Sequence, residues 1–382
     1  MVTTEPFPHG MAATNRIISW TKVLAGNNIP VKVYIIRPTE KEPRVLNREA
    51  TGIFKKIAFE YVNGTTVWPI HKGKFFKLGI LLAGYRKMIR SLASGRPSTV
   101  VTYTANINIK LLLLILQFFY KFRLIIEETE YPKILKRKHT KIEKWLHLSL
   151  YKYSNGMLVM TKELKKYYSS LGVSNIMILP MTVDTNRFEQ FRKLEKEPYF
   201  AYAGGSGGFF RDGVFDIVKG FSFFAELNSE IALKIIGPID KKSDEYQKII
   251  HFIDEKGLNK RVEFAGRVSS ELIPDFLIKA TGLVMAPPED FKSGGFPTKL
   301  GEFLASGTPV ICTNVSEIPI YLNQFNAFIV PPGDYQGIGN AMHEIIKDPE
   351  ASKRVGNAGK KLAETVFNAE VYFMDLDKLI NG

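Results

Sequence analysis

Short apolar runs alternate along this chain with longer segments in which apolar residues recur at helical spacing. Such runs, rich in Val, Ile, Phe and Tyr and often followed by Gly or Pro, predict buried parallel strands. The alternation of strands and helices predicts a parallel sheet with helices on both faces. In the first half the predicted strands are Val31–Ile36, Thr99–Tyr103, Arg123–Ile126 and Gly156–Met160. In the second half they are Tyr199–Ala203, Ala232–Ile236, Val262–Ala265, Gly282–Ala286, a strand around Ile311, and Phe328–Val330.

The polar stretch Asp184–Pro198 separates the two series and indicates a linker between two α/β domains. A closing helix, from about Ala351 to Ile380, is long enough to reach back across both domains. The predicted boundaries are 1–190, 198–365 and a crossover helix 366–382. The other predicted helices are Lys72–Arg90, Lys110–Lys121, Thr161–Leu171, Val214–Leu227 and Ile338–Ile346.

Length and composition agree with two soluble domains. The chain has 382 residues, of which 45% are hydrophobic, which is too long for one ordinary core. The single cysteine, Cys312, lies in an apolar strand and predicts a core residue in a reducing compartment. We expect no signal peptide. The longest apolar run, Leu111–Phe119, is shorter than the roughly 20 residues that a membrane span needs.

Charge is distributed unevenly between the halves. Residues 1–195 hold 32 Lys and Arg against 13 Asp and Glu, a net charge of +19, whereas the remainder holds 20 against 25, a net charge of −5. Residues 54–90 interleave basic and aromatic side chains, and a second basic cluster spans Lys133–Lys144. This composition is typical of proteins that bind anionic membrane surfaces. Nucleic acid is the other polyanion to consider, but no nucleic-acid module is present and the second half is acidic.

The segment 291–313, FKSGGFPTKLGEFLASGTPVICT, predicts a glycine-rich loop, a short helix that ends at Gly307, and a buried strand. The free N–H groups at the helix N-terminus and the charge of Lys299 suit a phosphate. Glu302, one turn further, could accept hydrogen bonds from a sugar diol. Phosphate and diol on one helix indicate a nucleotide; an ordinary helix cap with a surface glutamate is the alternative.

Three loops of the second domain are predicted to meet at one edge of its sheet. They are Gly204–Gly208, Gly266–Val268 and Pro287–Lys299, and each follows a predicted strand. In open parallel sheets, ligands bind outside the carboxyl ends of the strands. The convergence of these loops is stronger evidence for a ligand site than any one motif.

The sequence resembles the family 4 glycosyltransferases, which have the GT-B fold. FPTKLGEFLASGTPV matches the donor-binding variant FPxKLxE(F/Y)LAxGxPV. The resemblance implies that Glu302 holds the nucleotide ribose. The usual pattern has another Glu eight positions earlier, where this chain has Gly294, and Glu289 or Asp290 is the candidate to replace it. The fold implied is α/β, with two Rossmann-like doubly wound domains facing across a cleft and a C-terminal helix crossing back to the N-terminal domain.

The resemblance also implies roles for individual residues. YAGGSGGFFRDGVFDIVKGF places Arg211 where the family binds the donor diphosphate, and we take Arg211, Lys299 and Glu302 as the catalytic set. On the acceptor side, PFPHGMAATNRI and EETEYP indicate His9, Glu128 and Glu130, and Glu317 is expected near the donor. The predicted donor-binding residues are Gly10, Gly205, Ser206, Arg267, Val268, Gly295, Phe296, Pro297 and Thr298.

The implied function is that of a retaining glycosyltransferase that uses a UDP- or GDP-linked sugar. The acceptor would be a lipid-linked glycan or a polysaccharide at the cytoplasmic membrane face, bound by the N-terminal domain, and the C-terminal domain would bind the donor. No cofactor or metal is expected; the Asp375-Leu376-Asp377 sequence lies on the last helix rather than after a strand. The alternatives are a GT-B nucleotide-sugar epimerase, a non-catalytic relative and a basic nucleic-acid-binding protein.

Overall fold

The computed structural model describes residues 1–69, 73–136, 140–205, 209, 211–289 and 294–382. The described chain divides into two compact units. Unit 1 comprises Met1–Thr182, a short piece that includes Gly294 and Gly295, and Ala369–Gly382. Unit 2 is the remainder of the described chain, from Val183 to Asn368.

Unit 1 combines an eight-stranded sheet with α-helices and short 3-10 helices. The strands are β1 (Val2–Thr3), β2 (Lys32–Ile35), β3 (Thr51–Phe54), β4 (Ile57–Tyr61), β5 (Thr99–Tyr103), β6 (Arg123–Glu128), β7 (Gly156–Val159) and β8 (Ile176–Ile178). The α-helices are α1 (Ala12–Gly26), α2 (Lys74–Gly95), α3 (Ile107–Tyr120), α4 (Lys141–Ser149), α5 (Lys162–Ser170) and, at the C-terminus, α13 (Phe373–Asn381). The 3-10 helices span Lys133–Lys136, Tyr151–Tyr153 and Ala369–Tyr372.

The sheet of unit 1 has the order β3-β4-β2-β1-β5-β6-β7-β8. All neighbouring pairs are parallel except β3 and β4, which form an antiparallel hairpin at one edge. The turn of this hairpin is Lys55-Lys56, and both residues have positive φ, at 49° and 66°. Two-residue turns of this kind usually carry Asn-Gly or Asp-Gly, so the hairpin was not predicted from the sequence.

Unit 2 begins with a 3-10 helix at Thr185–Phe191, which lies inside the predicted linker. Its six strands are all parallel, in the order β11-β10-β9-β12-β13-β14. The strands are β9 (Glu197–Ala203), β10 (Ala232–Ile236), β11 (Val262–Gly266), β12 (Ala280–Met285), β13 (Val310–Thr313) and β14 (Phe328–Val330). The helices are α6 (Val214–Ala225), α7 (Asp244–Glu255), α8 (Ile273–Lys279), α9 (Lys299–Ser306), α10 (Ile318–Tyr321), α11 (Tyr335–Lys347) and α12 (Pro349–Thr365).

Helices cover the sheet of unit 2, so its strands are apolar on both faces. Phe200, Tyr202, Val284 and Ile311 from the strands are fully buried, and α6 adds Phe221 and Phe224 to the same core. Cys312 is buried in β13, as the sequence predicted. The predicted α/β class with parallel sheets is confirmed.

The prediction of one closing helix over Ala351–Ile380 is wrong. Helix α12 ends at Thr365 and α13 begins only at Phe373. Between them Phe367 is fully buried, with its ring 5.7 Å from that of Phe296 and 5.2 Å from that of Tyr321. The Phe367 carbonyl accepts a hydrogen bond from the N–H of Val183. The aromatic anchor and this backbone bond hold the chain out of the helical path.

Candidate functional site

In the sheet of unit 2, β10 and β11 lie on one side of β9, and the later strands β12, β13 and β14 lie on its other side. The order of the strands therefore reverses between β9 and β12. Strand β9 pairs with β10 on one side and with β12 on the other. Ligands of doubly wound sheets bind at such a switch point, outside the carboxyl ends of the two strands. The loop after β9 leads to Gly213, and the loop after β12 leads to Thr298. Of the described residues in these loops, Gly204 after β9 lies close to Lys299 at the start of α9, since a Cβ atom on Gly204 would lie 2.8 Å from the Lys299 side chain.

Close backbone contacts join the loops at this edge. The N–H of Ala286 donates to the carbonyl of Asp212 at 3.0 Å. A Cβ atom on Gly213, which has φ 67°, would lie 1.7 Å from the carbonyl oxygen of Ala286. A Cβ on Gly237, which has φ 143°, would lie 1.7 Å from the carbonyl oxygen of Gly204. Only glycine fits at either position, so the loops at the edge are fixed against one another.

Helix α9 begins at this edge and is anchored by its apolar face. Phe303 and Leu304 are buried, and Gly307 ends the helix with φ 75°. Thr298 is the N-cap and makes no side-chain capping bond. Pro297 directly precedes the cap. Backbone N–H groups of the first turn lack intrahelical acceptors and favour an anion.

Lys299 forms an ion pair with Asp212 beneath the helix N-terminus. Its Nζ lies 2.6 Å from Oδ2 of Asp212, and the hydroxyl of Tyr202 donates to the same oxygen at 2.6 Å. Burial, followed by the nearby Asp212 carboxylate, raises the pKa of Tyr202 far above its ordinary value, so Tyr202 remains a donor. The Nε of Arg211 lies 3.9 Å from Oδ1 of Asp212, and the Arg211 side chain is half exposed. Two cations thus lie beside one buried carboxylate.

Glu302 forms a second ion pair one helical turn further along α9. Its Oε1 lies 2.5 Å from Nη1 of Arg187, which comes from the 3-10 helix before β9. A second guanidinium nitrogen of Arg187 donates to the carbonyl of Ser270. Both side chains of the pair remain partly exposed. Helix α9 therefore carries a cation at its first turn and a carboxylate at its second.

The other predicted donor-binding residues are spread along the same edge. Gly205 follows β9 and is half-buried; Arg267 and Val268 follow β11, with Arg267 exposed and Val268 half-buried. Phe296 is buried against Tyr321 and Phe367. Two predicted residues, Ser206 and the alternative carboxylate Asp290, lie outside the described residues, and Glu289 is exposed. Glu317 is buried at the start of α10.

Gly294 has no room for the glutamate that the family pattern places there. Its φ is 71°, and a Cβ would lie 2.9 Å from side-chain atoms of Leu164 and Tyr131. The hydroxyl of Thr161 donates to the Gly294 carbonyl at 2.6 Å. The packing around position 294 therefore accommodates glycine but leaves no space for the glutamate of the family pattern. Gly295 is buried beside it.

The predicted residues of the first loop lie in unit 1. His9 is exposed, and its backbone N–H and carbonyl both bond the side-chain amide of Asn47, at 2.8 Å each. The ring of His9 meets the ring of Phe54 edge-on at 5.7 Å. A Cβ on Gly10 would lie 2.0 Å from the hydroxyl of Thr14. Gly10 therefore brings the backbone close to the start of α1.

Glu128 and Glu130 lie at the carboxyl end of β6, beside a cavity of about 220 Å³. The carboxylate of Glu128 pairs with Nζ of Lys110 and accepts from the Tyr151 hydroxyl at 2.9 Å. Burial and then Glu128 itself raise the pKa of Tyr151 well above its ordinary value. Other residues of the cavity wall include Glu5 and Tyr131. The cavity thus combines carboxylates and tyrosines, which suits a ligand rich in hydroxyl groups.

Residues 183–362 match the family model described as Glycosyl transferases group 1. The matched region, which is slightly less than half of the chain, is therefore similar to the group 1 glycosyltransferases, and this supports the predicted recognition. It spans most of unit 2, including both ion pairs on α9.

The chain also resembles proteins of known name. It is 24% identical over 226 residues to the capsular polysaccharide biosynthesis glycosyltransferase CapM of Staphylococcus aureus, and the alignment covers 58% of this chain but only 57% of CapM. Sucrose-phosphate synthase from Thermosynechococcus elongatus superposes with a TM-score of 0.73 at 16% identity, covering 100% of this chain and 98% of that protein. HepE of Anabaena, solved in complex with UDP and glucose, superposes with a TM-score of 0.70 at 13% identity, covering 100% of this chain and 98% of that protein. These likenesses confirm the predicted GT-B fold.

Three residues of the candidate site were not predicted from the sequence. Arg187 was assigned to the linker, and Asp212 and Tyr202 were read as parts of a turn and a strand. The signal for Asp212 is its position between Arg211 and Gly213, whose positive φ favours glycine. No local pattern marks Arg187, because its partner Glu302 lies 115 positions away.

The described residues were searched for groups that could bind a metal ion and for helices that could span a membrane. No group of three or more His, Cys, Asp or Glu side chains there is arranged to hold a metal ion. Asp377 accepts a hydrogen bond from Asn381 on α13 at 2.6 Å. None of the helices searched among the described residues is long and apolar enough to cross a membrane.

Proposed function

We propose that this protein is a retaining, family 4-type glycosyltransferase. It would move a sugar from a UDP- or GDP-linked donor to a lipid-linked glycan or polysaccharide. The proposed binding of the donor rests on two side chains of α9: the cation Lys299 at the helix N-terminus and the carboxylate Glu302 one turn later. This spacing suits a diphosphate and a ribose diol of one nucleotide. No metal or cofactor enters the proposal.

The proposed chemistry depends on stabilising the nucleoside diphosphate as it leaves. Negative charge builds on the leaving group in the transition state, and fixed donors aimed at that charge lower the barrier most. Arg211, Lys299 and the backbone N–H groups of Phe296 and Thr298 would serve as these donors. Asp212 and Tyr202 hold Lys299 in place before the ligand arrives, so little reorganisation is needed. The acceptor hydroxyl would attack from the face of the leaving group, which retains the anomeric configuration.

The relatives support the choice of substrates. HepE was solved with UDP and glucose, which favours a nucleotide-sugar donor for this protein. CapM is named for capsular polysaccharide biosynthesis, which favours a glycan acceptor. The carboxylates and tyrosines around the cavity beside Glu128 and Glu130 are the kind of side chains that bind sugar hydroxyls. We place the acceptor glycan there.

We propose further that unit 1 associates with the cytoplasmic face of an anionic membrane. Helices α2, α3 and α4 expose large apolar side chains beside basic ones; Phe75 of α2 is 91% exposed and Trp145 of α4 is 65% exposed. Helix α4 buries none of its residues. Exposed aromatic side chains interleaved with Lys and Arg favour the interface of a charged bilayer. A lipid-linked acceptor would be met at that surface.

The experiment that tests the function is a binding panel followed by a donor assay. Calorimetry with UDP, GDP and ADP should show uptake of at least one of them. The corresponding sugar nucleotides, supplied alone, should be slowly hydrolysed, and the released sugar should keep its anomeric configuration by NMR. Failure to take up any of the three nucleotides would refute the proposal. A donor sugar returned with one inverted ring carbon would instead identify an epimerase.

A further inference from the structure

The guanidinium of Arg187 joins two separate parts of unit 2. One nitrogen lies 2.5 Å from Oε1 of Glu302 on α9. Another donates to the carbonyl of Ser270, in the segment that follows β11. These contacts link the carboxylate predicted to meet the ribose with the segment that begins at the predicted donor-binding residues Arg267 and Val268. The Arg fork suits this task because its donors have fixed directions.

The segment that carries Arg187 is itself well anchored. Phe188, the next residue, is buried. The 3-10 helix Thr185–Phe191 packs against α8 and α9. The side chains of Arg187 and Glu302 are only about one quarter exposed, at 24% and 26%. The pair is therefore ordered by its surroundings, unlike a pair formed between two fully exposed side chains.

The pair leaves half of the Glu302 carboxylate available. A carboxylate has two oxygens, each able to accept more than one hydrogen bond. Arg187 engages Oε1, and in the described part of the chain Oε2 of Glu302 accepts no hydrogen bond. A free oxygen on a carboxylate of fixed orientation can accept from the two hydroxyls of a ribose. Without Arg187, Glu302 would keep its charge but lose this orientation.

We propose that Arg187 is a positioning residue that orients Glu302 for recognition of the ribose diol. The proposal rests on the proposed function, because it requires that α9 binds a nucleotide. It adds to that function a residue outside the motif and a specific substrate feature, the 2′ and 3′ hydroxyls. Arg187 acts through Glu302 and does not touch the nucleotide itself.

The test compares ribose and dideoxyribose nucleotides. Whichever of UDP, GDP and ADP binds best to the wild type is titrated beside its 2′,3′-dideoxy counterpart, in the wild type and in Arg187→Ala. The wild type should prefer the ribose form. Arg187→Ala should bind the ribose form about tenfold more weakly, the effect of one lost charged hydrogen bond, and should bind the dideoxy form as the wild type does. Glu302→Gln should remove the same preference.

Arg192→Ala provides the matched control. Arg192 directly follows the same 3-10 helix and pairs with Glu189 and Glu364 rather than with α9. Its replacement should leave the preference for ribose unchanged. Arg187→Lys keeps the charge without the fork and should restore part of the preference. It also keeps the test valid if Arg187→Ala does not fold.

Each outcome separates this inference from the function on which it rests. A wild type that binds none of the nucleotides refutes both. A wild type that binds, with an Arg187 variant that weakens ribose and dideoxy forms equally, refutes only the positioning role, because a general loss of structure would have that effect. An unchanged preference for ribose in both Arg187 variants refutes it as well.

Discussion

Ion pairs lie near the carboxyl edge of the sheet in both units, but they differ in burial and in what they leave free. In unit 1, Arg16 and Glu127 are 3% and 0% exposed. In unit 2, Arg187 and Glu302 are 24% and 26% exposed. Burying two charges carries a large desolvation cost, which is balanced only when protein groups satisfy them. The buried pair is therefore fully used in stabilising the fold, whereas the partly exposed pair can still meet a ligand.

The partners of the two pairs show the same difference. Both oxygens of Glu127 are used, one by Nε of Arg16 at 2.8 Å and the other by Nε1 of Trp20 at 3.1 Å. Arg16 also donates to the carbonyls of Leu179 and Pro180, just after β8. This network ties α1, β6 and the end of β8 together. Burial raises the pKa of Glu127, and Arg16 opposes that rise.

The largest effect is expected when the buried pair of unit 1 is broken. Glu127→Leu leaves the Arg16 charge buried without a counter-charge and should lower the free energy of unfolding by about 3–5 kcal/mol. Urea unfolding followed by circular dichroism measures this change. The double variant Arg16→Met, Glu127→Leu should recover much of the loss, since no unpaired charge remains.

The surface pair of Lys32 with Glu60 provides the control in the same unit. Both of its side chains are substantially exposed, so Glu60→Gln should change stability by about 1 kcal/mol or less. A loss in Glu127→Leu no larger than in Glu60→Gln would show that the buried network does not support the fold. The buried pair of unit 1 would then contribute no more to stability than a surface pair, and the contrast drawn between the two units would be wrong.

The next largest effect concerns the cations of unit 2. Arg211→Ala and Lys299→Ala should each reduce kcat/KM by an amount equivalent to about 2–4 kcal/mol, because each removes a donor for the leaving diphosphate. A steady-state assay with the donor found in the binding panel measures this. Lys219, which pairs with Asp216 on α6, is a matched cation, and Lys219→Ala should keep normal activity. Wild-type turnover by both Arg211 and Lys299 variants would rule out their proposed role.

The sequence predicted best those features that depend on local pattern. Glycine at 307 stops α9 in the left-handed region, and the apolar run before it packs inward, as its spacing indicated. Most strands of unit 2 were found within a residue or two. Each of these features is encoded by neighbouring residues, so a single sequence suffices to find them.

The features that were missed depend on contacts between distant residues. Arg187 meets Glu302 across 115 positions, and nothing in the polar stretch around it indicates that partner. The closing helix breaks because Phe367 finds an aromatic pocket made by Phe296 and Tyr321. The Lys55-Lys56 turn adopts positive φ without the usual residues. In each case tertiary packing overrides the local preference.

The smallest effect tests the outer surfaces of the two units. Trp145→Ser on α4 should weaken binding to vesicles of anionic phospholipid about tenfold, since a large apolar side chain would no longer be buried in the interface. Sedimentation with vesicles at low and at high salt measures the binding, which should also fall as salt screens the basic residues. Phe325 of unit 2 is 73% exposed but lies in the acidic half, so Phe325→Ser should not alter binding. Equal losses in the two variants would mean that exposure alone, rather than the basic surface of unit 1, determines adsorption, and the proposed membrane face would have to be abandoned.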